Sequence, residues 1–187
     1  MSESEELVVV LDCGSGMIKA GFAGEEAPLA KIPNVVGRPR EGKSTMKNTK
    51  IGEDAMKHMD DLDIKFPIRQ GFIESWEDME MVWHHTFFNE LRVDPSEIKG
   101  VLITEAPRND KLSREKMVQL MFETFDVKNI YFAKQAVMSL FSAGRTTGLV
   151  VDAGDNVTNT ISVFEGFSIP HTNESGSNAG RVLTKFM

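Results

Sequence analysis

The sequence predicts an α/β fold in which strands alternate with helices and one strand–turn–strand unit occurs twice. Apolar runs of strand length, such as 7–11 and 100–106, are separated by amphipathic helical patterns, an alternation typical of α/β sheets. A hairpin with a glycine-rich turn spans 7–22, and a second hairpin of the same design spans 148–164. The repetition of one unit within a chain indicates an internal duplication.

The first hairpin is suited to hold a phosphate. Its first apolar run ends at Asp12, turns through 14–16 and returns over 17–22. Glycines let successive backbone N–H groups surround an anion, the Ser15 hydroxyl adds a donor and Lys19 adds a positive charge. Asp12 is placed to hold a hydrated divalent ion that bridges the same phosphates. An ordinary glycine turn is the alternative for a single hairpin of this kind.

The second hairpin repeats this design. An apolar strand ends at Asp152, and an alternating strand follows the turn. An overlay of Asp12 on Asp152 places Gly14 on Gly154, Ser15 on Asp155 and Met17 on Val157. We therefore expect two facing turns that form a clamp for a metal-bound polyphosphate.

Composition excludes several classes of protein. The chain has 187 residues with 41% hydrophobic and 26% charged residues, which is typical of a soluble globular protein with one sizeable core. It begins with acidic rather than basic residues and has no apolar run of about 18 residues, so we expect an intracellular protein without a membrane partner. A net charge of −7 makes nucleic acid an unexpected direct partner. The single cysteine, Cys13, excludes an intrachain disulfide, and a small strand-end side chain is favoured there over a reactive thiol.

A helix is predicted over 75–91. Ser75 is placed to cap it, and Asp78 stands at the capping-box position. An apolar stripe supports the prediction; it consists of Trp76, Met79, Trp83, Phe87 and Leu91. His84 and His85 are adjacent and so point to different faces, which favours packing or surface roles over a shared metal.

The remaining pattern continues the alternation. The segment 100–106 reads as a buried strand, and a helix is predicted over 113–125. A short strand at 129–133 leads into a helix over 135–143, which Gly144 ends.

Long stretches of this sequence carry a family resemblance. They are LVVVLDCGSGMIKAGFAGEEAP at 7–28, IPNVVGRPR at 32–40, KFPIRQGFIESWEDMEMVWHHTFFNELRV at 65–93, LITEAPRNDKLSREKMVQLMFETF at 102–125 and QAVMSLFSAGRTTGLVVDAGDNVTNTISVFEGFSIPH at 135–171. From 7 to 171 the chain is similar to the N-terminal half of the actin family.

The resemblance implies an incomplete actin-like fold, related to the ATPase fold of Hsp70 and sugar kinases. It implies a five-stranded mixed sheet in a first subdomain, a small insert and the beginning of a second, duplicated sheet. The implied boundaries are 1–33 with 67–144 for the first subdomain, 34–66 for the insert and 145–187 for the truncated second sheet.

The resemblance also implies an ATP or ADP site with Mg²⁺. Gln135 occupies the place of the glutamine that positions the attacking water, although helix capping is the alternative for this residue. Asp12 and Asp152 would hold the metal through water. The implied nucleotide contacts are Gly14, Ser15, Gly16, Met17, Lys19, Gly154, Asp155, Val157 and Gly180.

Departures from the family pattern weaken the case for hydrolysis. Asn159 stands where actin has a histidine that helps order the attacking water, and an amide cannot relay a proton at neutral pH. Gln70 replaces the histidine that actin places beside the phosphate exit route. The loop at 40–50, which docks into the next filament subunit in actin, is shorter here and polar. Its changed residues are Lys43, Ser44, Thr45, Lys47 and Asn48. Buried unpaired lysines are costly, so ordinary filament contacts are not expected; a surface loop of little consequence is the alternative.

The chain ends near the midpoint of an actin, so we expect a weak or vestigial nucleotide site and an open apolar face covered by protein partners. The predicted function is a non-catalytic structural subunit of a cytoskeletal or other multiprotein assembly, with cytoskeletal, motor or actin-binding partners. One alternative is an ATP-hydrolysing filament protein completed by a partner chain, and another is a regulator that competes with actin. The acidic amino terminus is either a myosin contact or a solvated tail. The expected location is the cytoplasm and cytoskeleton, with the cilium or nucleus as alternatives.

Overall fold

The computed structural model describes residues 7–40 and 48–187. The expectations for the acidic amino terminus and for Lys43, Ser44, Thr45 and Lys47 lie outside the described residues.

The strands are β1 (Val8–Cys13), β2 (Met17–Phe22), β3 (Ala30–Pro33), β4 (Val36–Pro39), β5 (Lys50–Ile51), β6 (Leu62–Lys65), β7 (Ile68–Arg69), β8 (Phe72–Ile73), β9 (Gly100–Glu105), β10 (Ile130–Lys134), β11 (Gly148–Ala153), β12 (Thr158–Phe164), β13 (Phe167–Ser168) and β14 (Glu174–Gly176). The helices are α1 (Glu53–Lys57), α2 (Trp76–His84), a π-helix (His85–Leu91), α3 (Lys111–Glu123), α4 (Gln135–Ser142), a 3₁₀ turn (Pro170–Thr172) and α5 (Gly180–Phe186).

The main sheet has five strands in the order β10-β9-β1-β2-β3. β1, β9 and β10 run parallel, whereas β2 and β3 are antiparallel to their neighbours. This confirms the predicted α/β fold with a mixed sheet. Because parallel strands end at the same edge, the carboxyl ends of β1, β9 and β10 bring Asp12, Thr104 and Gln135 together.

The predicted helix over 75–91 is present and carries the main core. Trp83 and Phe87 have no exposed surface, and they pack with apolar residues of β1 and β9. Ser75 caps the helix, since its hydroxyl accepts from the Asp78 N–H at 3.3 Å. The predicted capping box is wrong in one respect, because the buried Asp78 carboxylate pairs with Arg38 of β4 at 2.5 Å.

The second half of this helix is π-helical, which the sequence did not predict. His85 contacts Glu90, five residues later, at 3.0 Å, and His84 stacks on Phe88 with ring centroids 4.5 Å apart. The i to i+5 spacing of the first pair is that of a π-helix. These contacts agree with the predicted packing or surface roles of the two histidines. No group of three potential metal-ligating side chains occurs in the described residues.

Three smaller sheets accompany the main sheet in the described part of the chain, and the smallest is the antiparallel pair β7–β8. β4, β5 and β6 form a sheet with α1 beside it, in the segment inserted between β3 and α2. β11, β12, β13 and β14 form another, and α4 packs on it through Val137 and Leu140 against Val150 and Ile161. Gly144, with φ at +69°, follows α4 as predicted. Among the described helices, none has the length and apolarity that a membrane crossing requires.

Candidate functional site

The two hairpin turns share one backbone geometry. The Gly14 N–H donates to the Met17 carbonyl at 3.0 Å, and the Gly154 N–H donates to the Val157 carbonyl at 2.9 Å. The strand registers also correspond, since Asp12 lies opposite Lys19 and Asp152 lies opposite Asn159. The structure thus repeats the correspondence of Gly14 with Gly154 and of Met17 with Val157 that the sequence predicted.

The turns face each other across one cavity. A Cβ atom added to Gly16 would lie 2.9 Å from the Asp155 Cβ, so only glycine fits at this approach. The cavity has a volume of about 1040 Å³. Of the predicted site residues, it is lined by Asp12, Gly14, Ser15, Gly16, Met17, Lys19, Gln135, Asp152, Gly154, Asp155 and Val157. Gly180 is not in the lining; its N–H supports the second turn by donating to the Gly154 carbonyl at 3.0 Å.

The first turn offers unpaired donors to this cavity. Within the described parts of the chain, neither the Ser15 N–H nor the Gly16 N–H donates to a protein acceptor. Ser15 is mostly buried and lines the cavity. Adjacent N–H groups of this kind form a concave anion site, and the fit to a phosphate is therefore good.

Asp12 is the centre of a polar network at the end of β1. Its Oδ1 accepts from the Thr104 hydroxyl at 2.6 Å and from the Gln135 Nε2 at 3.2 Å, and its Oδ2 pairs with Lys19 Nζ at 3.0 Å. These contacts fix the carboxylate and leave the Gln135 carbonyl oxygen available to accept from water. Thr104 carries no local sequence signal, because it lies 92 residues from Asp12.

Asp152 lies in the same cavity at the corresponding position of the second hairpin. Burial raises the pKa of its carboxyl, the nearby charge of Asp12 raises it further, and Lys19 opposes the shift. A divalent cation would supply positive charge that offsets the effect of the Asp12 charge on the Asp152 carboxyl. The donor set consists of two carboxylates rather than a closed cage, which fits a hydrated Mg²⁺ held through water.

Arg181 is a site residue that the sequence analysis missed. Its guanidinium donates to Asp155 Oδ2 at 2.7 Å and lies 4.1 Å from the ring centre of Phe66. Phe66 directly follows β6, so this contact joins the second turn to the small sheet of β4, β5 and β6. The one available signal was the position of Arg181 directly after Gly180.

Gln70 and Asn159, the two residues that differ from the actin pattern, line a second, smaller cavity of about 250 Å³. Asn159 is buried, and its Oδ1 accepts from the Ser175 hydroxyl at 2.7 Å. Its side chain is thus fixed by a neighbouring strand.

Cys13 follows Asp12, is partly buried and lines the large cavity. Burial raises the pKa of the thiol to about 12, an effect that the hydrogen bond from Trp83 opposes and the charge of Asp12 reinforces. The Trp83 Nε1 lies 3.4 Å from the sulfur. A structural role for this cysteine agrees with the geometry.

A comparison with family models agrees with the fold and the paired turns. The model described as Actin matches residues 3–187. The chain belongs to the actin family. Actin-family proteins generally bind ATP or ADP with Mg²⁺ and interact with other proteins, commonly in the cytoskeleton.

Proposed function

We propose that this actin-family chain is a non-catalytic structural subunit of a protein assembly, and that its two turns hold the phosphates of ATP or ADP with Mg²⁺ weakly. The observation that carries the nucleotide part is the approach of Gly16 to Asp155 across the cavity. In this assignment the turn amides and Ser15 bind phosphate oxygens, and Asp12 and Asp152 orient water on the metal. Bound Mg²⁺ would neutralise phosphate charge.

Weak binding follows from the exposure of the charged groups. The Lys19 side chain is 53% exposed and that of Asp12 is 31% exposed. Solvent and salt screen charges in such a setting, so each contact contributes little.

Low turnover follows from the water-ordering positions. Hydrolysis requires a group that moves a proton from the attacking water, and the amide of Asn159 cannot do so at neutral pH. Its oxygen is also occupied by Ser175. Gln70, beside the same small cavity, takes the place of the histidine at the phosphate exit route and also carries an amide.

A protein partner is supported by the exposed face of β11. Leu149 is 65% exposed and Val151 is 64% exposed. Their counterparts in the first hairpin, Val9 and Leu11, have no exposed surface because α2 and the π-helix cover that sheet. We propose that cytoskeletal, motor or actin-binding proteins contribute an apolar surface here, in the cytoplasm and cytoskeleton.

The proposal is tested with the purified full chain and with the complex isolated from cells. Calorimetric titration should give micromolar or weaker binding of Mg-ATP that EDTA further weakens, with no phosphate release above background. Affinity purification should recover the chain in one stoichiometric complex. A monodisperse, soluble isolated chain with nanomolar Mg-ATP affinity and steady hydrolysis would exclude the structural role.

An ATPase completed by a partner is the second candidate, because Gln135 lies 3.2 Å from the Asp12 carboxylate. It predicts hydrolysis by the complex and its loss in Gln135→Ala. An equal rate in Gln135→Ala would assign the hydrolysis to a contaminant.

A further inference from the structure

Asn34 is a fully buried residue between β3 and β4 that contacts the first turn from behind. Its Nδ2 donates to the Gly14 carbonyl at 2.9 Å, and its backbone N–H donates to the Gly16 carbonyl at 3.0 Å. Asn34 does not line the cavity, so these bonds direct both carbonyl oxygens to a residue outside the anion site. Carbonyl oxygens repel phosphate, whereas the amides that remain free attract it.

We infer that Asn34 is a positioning residue that sets the phosphate-binding shape of the first turn. The inference rests on the proposed nucleotide function and assigns a residue that touches neither phosphate nor metal. Asn34 Oδ1 is itself buried without a protein partner in the described part of the chain. An unpaired buried acceptor is costly, so an amide at this position is favourable only if its Nδ2 donor is used.

In the second turn two carbonyls are also bound from outside, although only Gly154 corresponds to a bound position of the first turn, since Asp155 matches Ser15 rather than Gly16. There the Gly154 carbonyl accepts from the Gly180 N–H at 3.0 Å, and the Asp155 carbonyl accepts from the Arg181 N–H at 2.9 Å. The carbonyls of the second turn are held by backbone N–H groups, and the Arg181 side chain binds the Asp155 carboxylate rather than a carbonyl. In the first turn, the Gly14 carbonyl depends on the Asn34 side chain. Substitution of Asn34 should therefore loosen one turn and leave the other unchanged.

The test compares Asn34→Asp and Asn34→Ala with the control Asn129→Asp. Asn34→Asp preserves the side-chain volume but exchanges the donor for an acceptor. Asn129 makes the same kind of bond, from its Nδ2 to the Lys99 carbonyl at 2.7 Å, before β10 and outside the cavity lining. Two quantities are measured on the full chain: amide hydrogen exchange without ligand and the Kd of Mg-ADP.

Both Asn34 variants should speed exchange over 14–17 severalfold, leave 154–157 unchanged and weaken Mg-ADP about tenfold, as expected for one lost hydrogen bond. Asn129→Asp should change neither quantity. Unchanged exchange over 14–17, or faster exchange with an unchanged Kd, overturns the role of Asn34. Failure of the wild-type chain to bind Mg-ADP instead overturns the proposed nucleotide function. Native exchange over 154–157 shows that a variant is folded, and Asn34→Ser replaces any variant that is not.

Discussion

Gly16 lies so close to Asp155 that a single added carbon would collide with the opposite turn, at 2.9 Å from the Asp155 Cβ. The two hairpins are far apart in sequence and belong to different sheets. Their close approach defines the width of the cavity between them. The first prediction concerns this width.

Gly16→Ala should force the turns apart and weaken Mg-ADP binding by at least about tenfold, or about 1.4 kcal/mol. Calorimetric titration measures the change. Gly176→Ala is the matched control, because a Cβ atom there meets nothing within 4 Å. Equal affinities for the two variants would show that the turn separation does not govern binding.

Asp152→Asn should raise the thermal unfolding midpoint of the ligand-free protein at pH 7 by a few degrees. Burial, with the charge of Asp12, raises the pKa of Asp152, so the folded protein holds this proton more tightly than the unfolded chain does. The cost of ionisation is absent below the ordinary pKa of 3.8 and grows as the pH rises through the folded value. The difference between variant and wild type should therefore shrink at acid pH. A constant difference across the pH range would contradict this origin.

Cys13 should resist alkylation by iodoacetamide at pH 8 while the protein is folded. The thiolate is the reactive form, and a pKa of about 12 leaves very little of it at this pH. Mass spectrometry should show rapid modification only after unfolding in urea. Fast labelling of the native chain would contradict the raised pKa of this thiol.

Phe87→Ala should cost about 3–5 kcal/mol of unfolding free energy, the range for a fully buried phenylalanine. The neighbouring Phe88 is 41% exposed, so Phe88→Ala should cost much less. Urea titration measures both. Phe87→Leu, with a smaller loss, covers the case in which the alanine variant does not fold. Similar losses for Phe87→Ala and Phe88→Ala would argue against a π-helix that buries Phe87 and exposes Phe88.

Arg38→Gln should destabilise the protein by about 3 kcal/mol, because it leaves the buried Asp78 carboxylate without its partner. The double variant Arg38→Gln with Asp78→Asn should recover much of this loss, since it removes the unpaired charge as well. A double-mutant cycle in urea isolates the coupling. If the losses of unfolding free energy in the two single variants add up to that of the double variant, the ion pair makes no contribution of its own to stability.

The sequence predicted the parts of the fold that local patterns determine. Alternating apolar residues and turn glycines were sufficient for the β1–β2 hairpin, and the spacing between aspartate and glycine was sufficient to match Gly14 with Gly154. Some helix boundaries differ by a few residues from the predicted ones, because a capping side chain sets the start of the helix. For example, α3 begins at Lys111 because Asp110 accepts from the Ser113 N–H at 2.6 Å.

Long-range contacts could not be predicted in this way. Thr104 reaches Asp12 across 92 residues, and Asn34 reaches Gly14 across 20. Neither residue belongs to a local motif. Each reaches its partner only because the folded sheet brings the two segments together. Asp78 was assigned to the capping box for the same reason, because only the folded insert brings Arg38 within reach.

Two residues that flank the small sheet of β4, β5 and β6 contact the first turn or a side chain that binds the second turn. Asn34, directly after β3, binds the first turn, and Phe66, directly after β6, packs on Arg181, which binds Asp155 of the second turn. The sheet of β4, β5 and β6 is thus connected to one hairpin turn at its start and to the other at its end. A rotation of this sheet would move both contacts together and so change the distance between the two turns.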